Sequence, residues 1–397
     1  MRKLSYALSI VAVSVAETAT IRVPADYPSI QAAILVSAPG DSVLIAPGTY
    51  AGRGNRNIDF AGKAIILTSE RGSEETIIDC SQQGRGFIFQ RDEERSSIVE
   101  GLTVANGLAP DGRGGGGMLF LNGSSPLVRD CAIINNGAHY ISGFSNAHGG
   151  GIAVYESSPT FLRCEIGENV VVAQLWEGDP CGGGIYVEYG DPIFSCCRIH
   201  DNVSTGYDGG RSGGIHVRGG SPMLLNCVIE NNKALAGAHL WHIGIGGGIT
   251  IDGESYARIV NCTVVDNRAI LGESAAGLLV KYWYGSPFIL NSIFADNDPS
   301  EVEVQSTTVI AYCCIQSESH AGVGNIDDPP KFREYFGHDY TLGPTSPCID
   351  AGAPELSDRI YDQHPLWPEW HVDGVRSDMG AYGGPNNSCW LRSHGAE

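Results

Sequence analysis

A small residue, most often Cys, followed five positions later by Asn recurs along this chain. The pairs are Gly101 with Asn106, Cys131 with Asn136, Cys164 with Asn169, Cys197 with Asn202, Cys227 with Asn232 and Cys262 with Asn267. Ser292 with Asn297 continues the series. Successive starts lie 30, 33, 33, 30, 35 and 30 residues apart, which is the period of stacked-coil architectures. A chain built this way is constrained more by its register than by its length: equivalent positions must lie above one another, so each one lines a column in the folded protein.

Each later copy follows a Gly cluster and a turn ending in Pro. Gly149-Gly150-Gly151-Ile152, Gly182-Gly183-Gly184-Ile185, Ser212-Gly213-Gly214-Ile215 and Gly246-Gly247-Gly248-Ile249 open strands in which every second residue is aliphatic. Alternation puts Ile152 and Val154, Ile185 and Val187, Ile215 and Val217, and Ile249 and Ile251 on the inner face. The pattern predicts three short strands per repeat between residues 97 and 297: the Gly-started strand, one leading to the Cys, and one carrying an aliphatic residue two positions later. Asn forms the corner, where stacked Asn side chains bond turn backbone and one another. Loops of variable length, at 137–148, 170–181, 203–211, 233–245 and 268–275, then fall on one side of the stack.

With 45 acidic against 25 basic residues, the net charge of -20 excludes duplex nucleic acid as a partner, because phosphate binding needs basic surface. An acidic polymer would have to be met by local bases or metal. Residues 1–16 read as an export signal: Arg2 and Lys3, an apolar run from Leu4 to Val13, and Ser14-Val15-Ala16 as a cleavage site. That run is too short to span a bilayer, so the expected product is a secreted or surface-held monomer without a transmembrane segment. Twelve cysteines in an exported chain suggest disulfides, yet five share one repeat position with Gly and Ser. A site accepting Cys, Gly or Ser selects a small buried side chain, so Cys131, Cys164, Cys197, Cys227 and Cys262 are expected as reduced thiols. Outside the ladder, Cys348 with Cys389 is a candidate pair.

After the signal, Asp26 and Pro28 precede Ser29–Leu35, whose Ile30, Ala33 and Ile34 form the apolar stripe of a short helix. The segments "VPADYPSIQAAI" and "PGDSVLIAPGTY", the Gly-cluster coils and the tail "SPCIDAG…DMGAYGG" resemble those of secreted bacterial right-handed parallel β-helix repeat proteins of the pectin-lyase-like superfamily. The resemblance spans nearly all of the mature chain. It implies an all-β, single-stranded right-handed parallel β-helix over 41–320, an N-terminal helical cap over 17–40 and a loop-rich C-terminal cap over 321–397.

The outward residues of the Gly-started strands give two columns, Leu119, Ala153, Tyr186, His216, Thr250, Leu279 and Leu121, Tyr155, Glu188, Arg218, Asp252, Lys281. In lyases of the resembling superfamily, a groove over this face neutralises a uronate carboxylate while an Arg or Lys abstracts the adjacent proton. Arg218 or Lys281 would be the base and Glu188 and Asp252 orienting acids or metal ligands, with His216 an acid–base candidate. The competing reading of the same column is a salt-bridge ladder that only stabilises the sheet. Tyr155, Tyr186, Trp176, Tyr207 and Trp241, with His139, Tyr140, Phe144, His148, His239 and His242, offer rings for sugar stacking. Asp327-Asp328 and Asp373 with Asp378 are candidates for Ca²⁺ or for turn formation. The expectation is a polysaccharide-binding protein, a lyase rather than a hydrolase if it is an enzyme; the alternative is a non-catalytic surface or structural β-helix.

Overall fold

A computed structural model describes residues 18–140, 147–173, 179–237, 244–271, 274–281, 285–305, 307–333, 340–359 and 374–394. The chain winds as a right-handed parallel β-solenoid. Its strands form four sheets of eleven, eight, ten and six members, paired in parallel from coil to coil. The inner faces are apolar throughout: Ile152, Val154, Ile185, Val187, Phe161, Phe194, Ile166 and Ile199 are fully buried. Phenylalanines stack along the axis, Phe89 on Phe120 at 5.1 Å and Phe161 on Phe194 at 4.9 Å.

The sequence pattern predicts three strands per repeat, but the structure has four. Directly after each Asn corner the chain extends for two to four residues, as in Gly137–Tyr140, Val170–Ala173 and Lys233–Ala234, and these segments pair into the six-stranded sheet. They are too short, and too mixed in composition, to show a period of two. The first repeat is also corrected by one residue. Thr103 pairs with Ala132, so Leu102 rather than Gly101 lies under Cys131, and Gly107 rather than Asn106 lies under Asn136. Gly101 instead fills the left-handed turn position taken later by Asp130, Arg163, Cys196, Asn226, Asn261 and Asn291.

The Asn corners form a continuous buried ladder. Asn202 Oδ1 accepts from the Asn169 amide and from Asn169 Nδ2, both at 3.0 Å, while Asn202 Nδ2 donates to Ile166 O and Asn232 Oδ1, both at 2.9 Å. The same exchange links Asn136 to Asn169, Asn232 to Asn267, and Asn267 to Asn297. At the last rung Asn297 donates instead to the buried Glu301 carboxylate. Burial, which outweighs those donated bonds, pushes Glu301 up to about 7. The Gly clusters are the other half of this joint. A Cβ on Gly151, Gly184 or Gly248 would come within about 3 Å of the side-chain amide of Asn169, Asn202 or Asn267. The glycines are there because the chain passes directly beside the ladder.

At the N-terminal end, Ser29 caps the helix Ile30–Val36 by accepting from the Ala32 amide, and Ile30, Ala33 and Ile34 are buried against the first coil. At the other end the chain turns back. Residues 377–390 run along the column of left-handed turn residues toward the N-terminus. Asn291 and Asn261 bond Ser377 Oγ, Asn261 also bonds Asp378 O, and Asn226 bonds the carbonyls of Ala381 and Gly383. The strap ends in a disulfide between Cys389 and Cys196. The expected Cys348–Cys389 pair is therefore corrected, because the return path carries Cys389 from Asn291 three turn positions back along the stack, to Cys196. Cys348 lies instead in a small apolar cluster with Cys314.

The five ladder cysteines are buried and free, and the column continues past Ser292 to Cys313. Burial pushes the Cys313 thiol up to about 12, which removes the reactive thiolate at neutral pH. Under non-reducing conditions, thiol reagent is expected to label almost nothing in the native protein and ten cysteines after denaturation. Rapid native labelling of the ladder would contradict this register.

Candidate functional site

The two outward columns of the eight-stranded sheet are in register as the sequence predicts. Tyr186 pairs with His216 and Glu188 with Arg218, while Arg218 pairs with Asp252 in the next coil. Lys281 follows, its amide donating to Ile251 O at 2.8 Å. The near column is a buried support. Tyr186 is 1% exposed and His216 is 3% exposed. Their rings stack at 5.7 Å, and His148, four residues before the strand Ile152–Tyr155, lies flat on Tyr186 at 3.9 Å.

Hydrogen bonds lock this row. The Tyr155 hydroxyl donates to Arg113 O at 2.9 Å, so His148 Nδ1, 2.9 Å from the same hydroxyl, is the donor to it. Burial, helped by the charges of His216 and Arg218, pushes His148 down to about 3, so its ring is neutral at physiological pH. His216 Nδ1 meets Ser212 Oγ at 3.0 Å and its Nε2 lies 3.3 Å from Asp252. Burial works to raise the Asp252 carboxyl, but the His216 hydrogen bond and the charges of His216 and Arg218 together hold it below the usual range. Tyr186 donates to Glu188 at 3.1 Å, and burial followed by the Glu188 charge raises its own phenol.

The far column is the more exposed of the two. Arg218 has a 51% exposed side chain; among the described residues it makes one ion pair, a long one of 3.5 Å to Glu188, and it also bonds the Tyr186 side chain. Lys281 is half-buried and has no ion pair among the described residues; burial first, then the charge of Arg211, lower its ammonium below the ordinary lysine range. Glu188 and Asp252 flank Arg218 on adjacent rungs, about 4.8 Å away on either side. The column opens at its N-terminal end into a cleft of ≈ 1020 Å³ lined by Gln90, Asp111, Arg113, Asn122, His148 and Tyr155.

Sequence reading did not find several of these groups. Arg113, Gln90 and Asn122 lie outside the column positions that the repeat pattern picks out. Tyr189, 58% exposed beside Glu188, sits at a left-handed turn with its ring over Gly219, and only Gly at 219 leaves it room. Tyr207 follows the strand Val203–Gly206 of the six-stranded sheet, not the eight-stranded sheet that carries the two columns. Trp176, Trp241, Phe144, His239, His242 and Asp373 lie outside the described residues, as does the side chain of Tyr140. Among the described residues no three His, Cys, Asp or Glu side chains converge as a metal-binding group, and no helix is long and apolar enough to cross a membrane. The Asp378 carboxylate accepts from the Asp350 amide at 2.7 Å, a bond between two distant parts of the C-terminal segment rather than a turn.

Fold and site define a parallel β-helix protein with a charged groove along one outer face. The chain belongs to the right handed beta helix family, whose model matches residues 55–327. Among solved structures it is similar to a crystal structure of the pectate lyase Pel9A, at 16% identity over 89% of this chain and 90% of that one, with a TM-score of 0.47. A mutant of the PL6 family alginate lyase AlyGC matches at 11% identity over 91% and 57% of the two chains, with a TM-score of 0.33. A mutant pectin methylesterase in complex with a hexasaccharide matches at 10% identity over 75% and 78%, with a TM-score of 0.27. No curated protein matches the sequence.

Proposed function

We propose that the outer face of the eight-stranded sheet binds an acidic polysaccharide along a track from the Tyr155 cleft to Lys281. The observation that carries this reading is the state of the two cations in the far column. In a chain of net charge -20, Arg218 keeps a half-exposed side chain beside Tyr186 and a long pair to Glu188, and Lys281 is half-buried with no ion pair among the described residues. A uronate carboxylate would pair with Arg218, two rungs from Lys281. Beneath them the stacked Tyr186 and His216 rings fix the geometry without meeting the ligand, and His148, stacked on Tyr186, lines the cleft. If the chain is cleaved, the chemistry these groups suit is proton abstraction: Arg218 meets the carboxylate and acidifies the adjacent C–H, and Lys281, whose neutral form burial favours, accepts the proton. Export by residues 1–16 belongs to the same reading, since such a substrate lies outside the cell.

The test is a panel of acidic and neutral polysaccharides, reading binding, unsaturated product by ultraviolet absorbance, and reducing ends separately. Arg218→Ala is expected to weaken binding of an acidic chain ten-fold or more. Its melting temperature should hardly change, because an exposed pair contributes at most about 1 kcal/mol. Unsaturated product identifies a lyase, and binding without product a carbohydrate-binding surface. Equal binding by wild type and Arg218→Ala would remove this groove, and no glycan binding at all would favour the structural role in which the Arg218–Glu188 and His216–Asp252 pairs only brace the sheet.

A further inference from the structure

The column of left-handed turn residues carries the C-terminal strap as far as Cys196 and then continues without it. Its next members, Arg163 and Asp130, bond each other: Arg163 Nε and Nη2 reach the two Asp130 oxygens at 2.6 Å each. Where the strap stops there is a notch of ≈ 360 Å³ between these residues and the outer face of the ten-stranded sheet. Its floor is low because Ala132 stands on the rung where the following coils carry Glu165 and Arg198. Ser73 borders one side, and Trp390, adjacent to the disulfide residue Cys389, forms another wall. Trp390 is held rigidly, with Nε1 donating to Ala381 O at 3.0 Å and its ring against Tyr382.

We propose that this notch is a second binding site, distinct from the groove on the eight-stranded sheet, and that it takes a neutral saccharide unit. The lining carries two carboxylates, Asp130 and Glu165, and two guanidiniums, Arg163 and Arg198, so its net charge is zero. Each is already engaged: Arg198 bonds Glu230 at 2.6 Å and lies 3.7 Å from Glu165, which also meets His200 at 2.8 Å. A charged ligand of either sign would compete with those pairs. A hydroxyl does not, because a paired guanidinium keeps spare N–H donors and a paired carboxylate keeps spare lone pairs. Trp390 and Ala132, each under a tenth exposed, supply the apolar part of the lining against which the C–H groups of a sugar ring would rest. The volume is at the small end of the ~300–1,000 Å³ range of ligand sites, enough for about one or two rings.

The full chain with its disulfide intact should be titrated calorimetrically with glucose, galactose, mannose, xylose, maltose and cellobiose. At least one is expected to bind with a millimolar or lower dissociation constant. Ala132→Phe, which fills the notch from an outward-facing position, should weaken that binding ten-fold or more without altering the melting temperature. Trp390→Ala should do the same, and because it can loosen the strap, Ala132→Phe is the deciding variant. Arg218→Ala should leave this binding unchanged, which separates it from the acidic-polymer groove. Three results overturn the proposal: no binding of any of these sugars at tens of millimolar, binding that survives Ala132→Phe, or a preference of the notch for glucuronate over glucose.

Discussion

Asn202→Ala is expected to lower the unfolding free energy by roughly 3–5 kcal/mol, measured by urea denaturation of the disulfide-intact protein. Asn202 is fully buried, and its removal deletes four hydrogen bonds at once. The Asn169 amide and the Ile166 carbonyl are then left as buried backbone groups without these partners, at about 1–3 kcal/mol each. Asn202→Asp is the informative control. It keeps the oxygen that accepts from Asn169 but turns an acceptor toward Ile166 O and Asn232 Oδ1, so it should be no milder than Ala at neutral pH. A loss below 1 kcal/mol for Asn202→Ala would mean that water replaces the ladder.

The second large effect is expected from Gly183→Ala. A Cβ there would lie 2.5 Å from Gly213 O and from the carbonyl carbon and oxygen of Val203, all backbone atoms. Rotamer changes cannot relieve such a contact, so two strands must separate, at a cost of about 3 kcal/mol or more. The position is not one of the left-handed glycines, so the penalty is steric rather than conformational. Gly52→Ala separates the two effects. It has φ +83 and nothing within 4 Å of the added carbon, and should cost about 1 kcal/mol. Equal melting temperatures for Gly183→Ala and wild type would show that the corner between the six- and eight-stranded sheets is loosely packed.

Much of this fold can be read from the sequence because a solenoid writes its contacts into its period. Ile185 over Ile215 and Tyr186 over His216 follow from aligning two Gly clusters, with no long-range pairing to guess. The same logic failed where a coil lacks its marker. Without a Cys, the coil at Leu102 slipped by one residue, and the short strands after each Asn had no alternation to show. The groove was legible as a column of outward residues, but not its depth. That Tyr186 and His216 are buried while Arg218 and Tyr189 are exposed depends on what packs over them. The strap was invisible for a different reason: Asn226, Asn261 and Cys196 meet residues more than a hundred positions away, and no period connects them.

That strap has a consequence for how the molecule lengthens and how it melts. In a plain stack each coil answers only to its neighbours, so coils can be gained, lost or frayed one at a time from either end. Here the segment from Cys196 to Asn291 is bound as a bundle by a single cross-piece that clasps each of its coils. Duplicating a coil inside that bundle would put every clasp out of step, whereas the coils before Cys196 carry no such ruler. Variation in coil number among proteins of this design is therefore expected on the N-terminal side of the disulfide. Hydrogen exchange should show the strapped coils opening together, and the earlier ones opening in succession.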